Sequence, residues 1–96
     1  MEFIIHLAEM ALEEAEGAEK YAKMALEQKE VNPELAQDLY NIALQELGHE
    51  EILYKHAWAM TQRADNPAVT SVMNYLRKHI MTADVSAKTF LEQLKR

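Results

Sequence analysis

Both prolines of the chain follow an asparagine, at Asn32-Pro33 and Asn66-Pro67. An asparagine side chain can accept hydrogen bonds from the first free amides of a helix, and proline fits the first helical position. The two pairs therefore predict two helix starts. They divide the chain into three segments, and each segment is predicted to be one long helix, at about residues 2–29, 33–63 and 67–95.

The composition favours the same fold class. The 96 residues include only two glycines and two prolines, too few for a protein of strands and turns. Short connections between long helices make neighbouring helices antiparallel, so helices 1 and 2 are predicted to form a hairpin that bends near Val31. We expect one all-α domain, 1–96, with a hairpin in 1–63 and a packing or oligomerisation helix in 67–95.

Apolar side chains recur at spacings of three and four in each predicted helix. In helix 3 the pattern continues without a gap, which favours one unbroken helix over the alternative of a break at residues 82–85. Helix 2 has two apolar faces, so it should be covered on two sides. In helix 1 the recurring residues are nearly all alanine, which lets another helix approach closely; they are Ile4, Ala8, Ala11, Ala15, Ala18, Ala22 and Ala25.

Charge and residue usage exclude several functions. A net charge of −6 opposes binding to a phosphate backbone, so nucleic acids are not expected partners. The absence of cysteine removes disulfides and thiolate metal ligands, which leaves carboxylate and imidazole as ligands for any metal. The sequence has no long uncharged apolar run of the kind that spans a membrane, and it shows no secretory signal. We therefore expect a cytoplasmic location.

Glu46 and His49 interrupt an apolar face of helix 2, between Ile42 and Leu53. A carboxylate in a helix contact costs several kcal/mol unless a cation or hydrogen-bond partner offsets the loss of hydration. Residues three apart share one side of a helix, so Glu-x-x-His can direct an oxygen and a nitrogen at one metal ion. This pair is the first candidate for a metal site.

A third ligand is predicted on helix 1. Glu16 and Glu46 are equally far from residue 31, so the hairpin should place them at the same level. Glu16 is therefore the preferred ligand. Glu19 lies nearer the centre of the apolar face of helix 1 and is kept as a second ligand or as a carboxylate on the entry route.

Other acidic residues remain open alternatives. Glu14 flanks the other edge of helix 1 and is interpreted as a solvated carboxylate or as one that supports a ligand. Glu50 points partly inward and is either a ligand or a hydrogen-bonded carboxylate. Gly17 and Gly48 stand inside helices although each costs about 1 kcal/mol relative to alanine, which indicates either space needed by a site or close helix packing.

One chain contains only half of a dinuclear centre. Such a centre in a four-helix bundle takes two Glu-x-x-His helices and a glutamate from each of two others. Helix 3 has one glutamate, Glu92, near its far end. A homodimer, or a higher oligomer built from it, would supply the missing ligands by two-fold symmetry.

The hairpin resembles the ferritin-like superfamily, in particular its half-length members, the encapsulated ferritins, and is also similar to rubrerythrin-like proteins. The resemblance covers about residues 9–62 and depends on Glu16, on Glu46-Leu47-Gly48-His49 and on Asn32-Pro33-Glu34-Leu35. It implies a ferritin-like hairpin that completes a four-helix bundle by dimerisation.

The resemblance also implies a function and partners. Glu16, Glu46 and His49 would hold a di-iron centre shared between two chains, with Glu19 on the entry route, and the activity would be that of a ferroxidase that oxidises Fe(II). Manganese or zinc could substitute for iron. An encapsulin-type shell is a partner in that family, but the segment 90–96 is predicted to be helical and lacks a flexible tether.

Two interpretations without chemistry stand beside this one. In the first, the chain is a metal-free helical oligomerisation or interaction protein in which Glu46 and His49 form a buried polar pair that sets the register. In the second, it is a binding module that presents its apolar faces to another helical partner.

Overall fold

The computed structural model describes residues 2–96 and confirms the all-helical class. Three α-helices follow one another: α1 at Glu2–Gln28, α2 at Pro33–Ala64 and α3 at Pro67–Leu94. The described residues contain no strand. The three predicted helices are confirmed, because each observed end lies within a residue of the expected one. No helix in residues 2–96 is both long enough and apolar enough to span a bilayer.

The two asparagines cap the helices that follow them. Asn32 Oδ1 accepts a hydrogen bond from the amide of Leu35 at 3.1 Å. Asn66 Oδ1 accepts from the amides of Ala68 and Val69, at 2.9 and 3.3 Å. The second turn is sharp because Asp65 ends α2 in the left-handed region, at φ 46°. Capping and proline placement thus fix both chain reversals.

Helix α1 is the central helix. It packs along both α2 and α3, whereas α2 and α3 contact each other only over short stretches. The six alanines of α1 from Ala8 to Ala25 that recur at spacings of three and four are fully buried. Because a methyl group is the largest side chain at these contacts, the neighbouring backbones can approach closely. This close approach places the side chains at the edges of α1 directly against those of α2.

The contacts also fix the direction of the helices. Ile4 clusters with Ala57, near the far end of α2, and Ala22 clusters with Ala43, nearer its start. Helices α1 and α2 are therefore antiparallel. Helix α3 is continuous, as predicted, and the Arg77 guanidinium lies 5.4 Å from the centre of the Trp58 ring, which joins α3 to α2.

Candidate metal site

Three side chains with metal-binding atoms converge where α1 crosses the middle of α2. Glu14, Glu46 and His49 each offer one ligand atom, and these atoms lie within 4.8 Å of one another. Two carboxylates and an imidazole form a donor set that suits iron, manganese or zinc. Residues 2–96 contain no other group of three His, Asp, Cys or Glu residues this close together.

Helical geometry explains how the group forms. Glu46 and His49 are three residues apart, so they leave the same side of α2. Glu14 leaves the edge of α1 that faces this side, and Gly17 lies one turn further along the same edge. The absence of a side chain at Gly17 leaves room for Glu46, whose Oε2 would be 3.2 Å from a Cβ atom built there.

Glu14 has an unsatisfied acceptor. Its Oε2 is shielded from solvent and accepts no hydrogen bond within residues 2–96. The nearest basic atom is His49 Nδ1, at 3.6 Å, which is beyond hydrogen-bonding distance. A buried oxygen without a donor costs about 1–3 kcal/mol. Either a proton on a neighbouring group or a cation can remove this cost.

The neighbouring carboxyl of Glu14 raises the pKa of Glu46 to about 7. The main cause is a hydrogen bond that the two carboxyls share when Glu46 is protonated. Burial and the negative charge of Glu14 add to the rise in pKa, and His49 acts in the opposite direction. Near neutral pH the Glu46 carboxyl therefore gains and loses its proton easily, and an incoming cation would displace that proton.

The structure brings together two of the predicted ligands, Glu46 and His49, and adds Glu14 to them. Glu16 is exposed and Glu19 is half-buried, and neither belongs to this group. The ligand roles of Glu16 and Glu19 stay predictions. From the sequence, Glu14 was interpreted as a solvated carboxylate or as one that supports a ligand, because nothing in the sequence says which edge of α1 faces α2.

Apolar residues flank the group along both helices. On each helix they recur at helical spacing on one side, which we call the hairpin outer face. Phe3, Met10, Met24 and Leu35 on this face are 60%, 37%, 40% and 41% exposed. The face comprises Phe3, Leu7, Met10, Glu14, Gly17, Tyr21 and Met24 from α1, and Leu35, Asp38, Ile42, Glu46, His49, Leu53, His56 and Met60 from α2, of which Asp38 and His56 are further polar positions.

Glu50 belongs to a different pair. Glu50 is only 6% exposed and faces Asp84 of α3. Asp84 forms an ion pair with Lys88, in which Oδ2 of Asp84 and Nζ of Lys88 are 3.0 Å apart. Burial, followed by a hydrogen bond to Asp84, raises the pKa of Glu50 to about 7. Of the two roles left open for Glu50, that of a hydrogen-bonded carboxylate agrees with this contact between α2 and α3.

The raised pKa of Glu50 predicts how the stability of the metal-free protein depends on pH. The ordinary value is 4.5 and the folded value about 7, so the folded state binds this proton more tightly than the unfolded state. The resulting stabilisation is complete below pH 4.5 and is lost as the pH rises through 7. Urea unfolding in EDTA should therefore show a falling midpoint across this range.

Glu50→Gln tests this prediction, because glutamine resembles the protonated carboxyl and does not titrate. The variant should lose the part of the pH dependence that Glu50 contributes. Glu27→Gln, at an exposed position of α1, is the matched control and should keep the wild-type dependence. An unchanged pH dependence in Glu50→Gln would contradict the assignment.

Comparison with known proteins adds no family to this description. No protein-family model matches the chain, and no curated protein or solved structure matches it.

Proposed function

We propose that the chain is a ferritin-like iron-binding protein in which Glu14, Glu46 and His49 hold iron and two copies together complete a di-iron site that oxidises Fe(II). The observation that carries this proposal is the convergence of the three side chains in the middle of an apolar helix face. Carboxylates that lose hydration in a helix contact are costly when unpaired, and a bound cation is one way to offset that cost.

The residues fit a metal ion in two respects. Hard carboxylate oxygens with an imidazole nitrogen suit iron or manganese, and zinc accepts the same ligands. While Glu46 is ionised, the shielded Oε2 of Glu14 accepts no hydrogen bond within residues 2–96, and a cation would satisfy it. The proton that Glu46 holds near neutral pH can leave as the metal binds, because the pKa of Glu46 is only about 7.

Three ligands from one chain leave a metal ion open on the solvent side. The hairpin outer face supports a second copy there, since it exposes apolar side chains on both sides of the group. A two-fold axis would bring four glutamates and two histidines together, and the four carboxylates would balance the charge of two ferrous ions. Dimerisation and metal binding would then be linked.

The chain itself contributes binding and access. Iron bound there would supply the redox chemistry: each ferrous ion oxidised would give one electron to dioxygen or peroxide, and that oxidant would take up protons from water. The carboxylates of Glu14 and Glu46 would attract and hold a ferrous ion at the site, and the imidazole of His49 would supply a nitrogen ligand. The His49 side chain is 59% exposed, so iron from solvent can reach it before the other two residues.

Iron stoichiometry tests the proposal. Protein freed of metal by chelation and titrated with Fe(II) without oxygen should bind about one iron per chain, and should form dimers as it does so. Admission of oxygen should then give Fe(III) at a rate above that of free iron in the same buffer. Anomalous diffraction at the iron edge that finds no density beside Glu46 and His49 would overturn the proposal.

One observation favours a second candidate, a metal-free helical interaction protein. A proton on Glu46 can satisfy Glu14 without any metal, as the raised pKa of Glu46 indicates. In that case the polar pair would set the register of two associating hairpins. The two candidates differ in one measurement, because only the first predicts that EDTA dissociates the dimer at neutral pH.

A further inference from the structure

Gly17 is a half-buried glycine in the middle of α1, where glycine is a poor helix former. A Cβ atom at this position would lie 3.2 Å from Glu46 Oε2 and 3.7 Å from Glu46 Cδ. The first distance is shorter than an ordinary van der Waals contact. The space that an alanine methyl would fill is therefore taken by the Glu46 carboxyl group.

Gly48, the other glycine, differs in this respect. It also lies inside a helix, next to His49, but a Cβ atom built there would meet no atom within 4 Å. Both glycines thus weaken their helices in the same way. Only at Gly17 is the space beside the residue occupied by a side chain of the candidate site. Helix packing in general does not explain this difference.

We propose that Gly17 is a positioning residue: by lacking a side chain, it lets the Glu46 carboxylate lie against α1 beside Glu14, in the arrangement that binds metal. The inference rests on the proposed metal site. It concerns the geometry of Glu46, not the chemistry of the metal.

Substitution by alanine would act on Glu46 and spare the fold. The atom nearest to the new methyl is the end of a flexible side chain, so the carboxylate can move while both helices stay in place. Metal binding tolerates such a movement poorly, because ligand distances are fixed to within about 0.2 Å. The expected result is a more stable helix with a weaker metal site.

Gly17→Ala and Gly48→Ala form a matched pair for the test. Both should raise the urea midpoint of the metal-free protein, since alanine is the better helix former. Only Gly17→Ala should weaken Fe(II) binding, by about tenfold, the size of effect seen when a group that supports a ligand is changed. Equal affinities in the two variants would overturn the proposal, because a purely structural role predicts no such split.

Shortening the ligand provides a second test. Glu46→Asp withdraws the carboxylate by one methylene, so it should weaken iron binding by itself, and Gly17→Ala should add little further loss once aspartate stands at position 46. Additive losses in the double variant would contradict a contact between position 17 and the carboxylate.

Crystals of the metal-free proteins separate failure of this inference from failure of the proposed function. If the wild-type chain binds no iron, the iron proposal fails, and the position of Glu46 still tests the role of Gly17. The Glu46 carboxyl should lie over Gly17 in the wild type and move away from α1 in Gly17→Ala. An unmoved carboxyl in the variant would overturn the inference whatever the metal data show.

Discussion

Glu46→Gln is expected to lower the affinity of the chain for Fe(II) by more than about a hundredfold, because loss of a residue that only supports a ligand already costs about 10- to 100-fold. Glutamine keeps the size of the side chain but removes one of the two negative charges in the group. Calorimetric titration with Fe(II) in the absence of oxygen measures the effect. Glu14→Gln and His49→Ala should show losses of the same order.

Two variants on the same helix provide the controls for this series. Glu16 is exposed and Glu19 is half-buried, and both stand outside the group of three. Glu16→Gln and Glu19→Gln should therefore bind iron with wild-type affinity. A loss of affinity in Glu16→Gln with none in Glu14→Gln would show that Glu16 is the ligand from helix 1, as the sequence predicted. That result would contradict the group of Glu14, Glu46 and His49 as the metal site.

The choice between Glu14 and Glu16 shows where sequence reasoning reaches its limit. Distance from the bend gives the level of a residue along the hairpin, and both residues are near the level of the Glu46–His49 pair. The direction around α1 requires knowledge of which edge of the alanine stripe faces α2. That edge depends on the side on which α3 packs, and no local pattern in the sequence encodes it.

Helix boundaries were predictable because their causes are local. Each asparagine side chain caps amides two or three residues away, and each proline sets the backbone of the first helical position. The alternative of a break at residues 82–85 is contradicted, since α3 runs unbroken from Pro67 to Leu94. The Thr82 hydroxyl donates to the carbonyl of Lys78 at 2.8 Å, so the side chain is satisfied within the helix.

The pairing of Glu50 with Asp84 was beyond local reasoning. The two residues are distant in sequence and meet only because α3 returns alongside α2. On α2, Glu46 and Glu50 are one turn apart and face different helices, the first α1 and the second α3. Helix α2 therefore carries two carboxyl groups, Glu46 and Glu50, whose pKa values are each raised to about 7, and only Glu46 lies beside a histidine that could join a metal site.

The proposed dimer would explain why acidic groups lie in the middle of an apolar face. Without a cation, two copies brought together there would place four carboxyl groups close to one another, and their repulsion would oppose association. With iron bound, the same groups would attract the second copy. The apolar residues of the hairpin outer face would contribute to association with or without iron. Iron binding would therefore decide whether the dimer forms.

Met24→Lys combined with Leu35→Lys is expected to keep the chain monomeric under conditions in which iron drives the wild type into dimers. Both residues lie on the hairpin outer face, 40% and 41% exposed, and distant along the helices from the three ligands. Two-fold symmetry repeats both substitutions, so the interface would contain four lysines. Each would lose hydration there or clash with the partner chain. We expect the dimer dissociation constant to rise by at least about a hundredfold, or about 2.7 kcal/mol.

Ile52→Lys is the matched control for this prediction, because Ile52 is an exposed apolar residue of α2 outside the hairpin outer face and is 60% exposed. Sedimentation velocity at equal protein and iron concentrations should show dimers for Ile52→Lys and monomers for the double variant. The double variant should also bind iron more weakly, since each chain then supplies only three ligands. A double variant that still dimerises would place the interface elsewhere, and a monomeric one with wild-type iron affinity would show that a single chain binds the metal unaided.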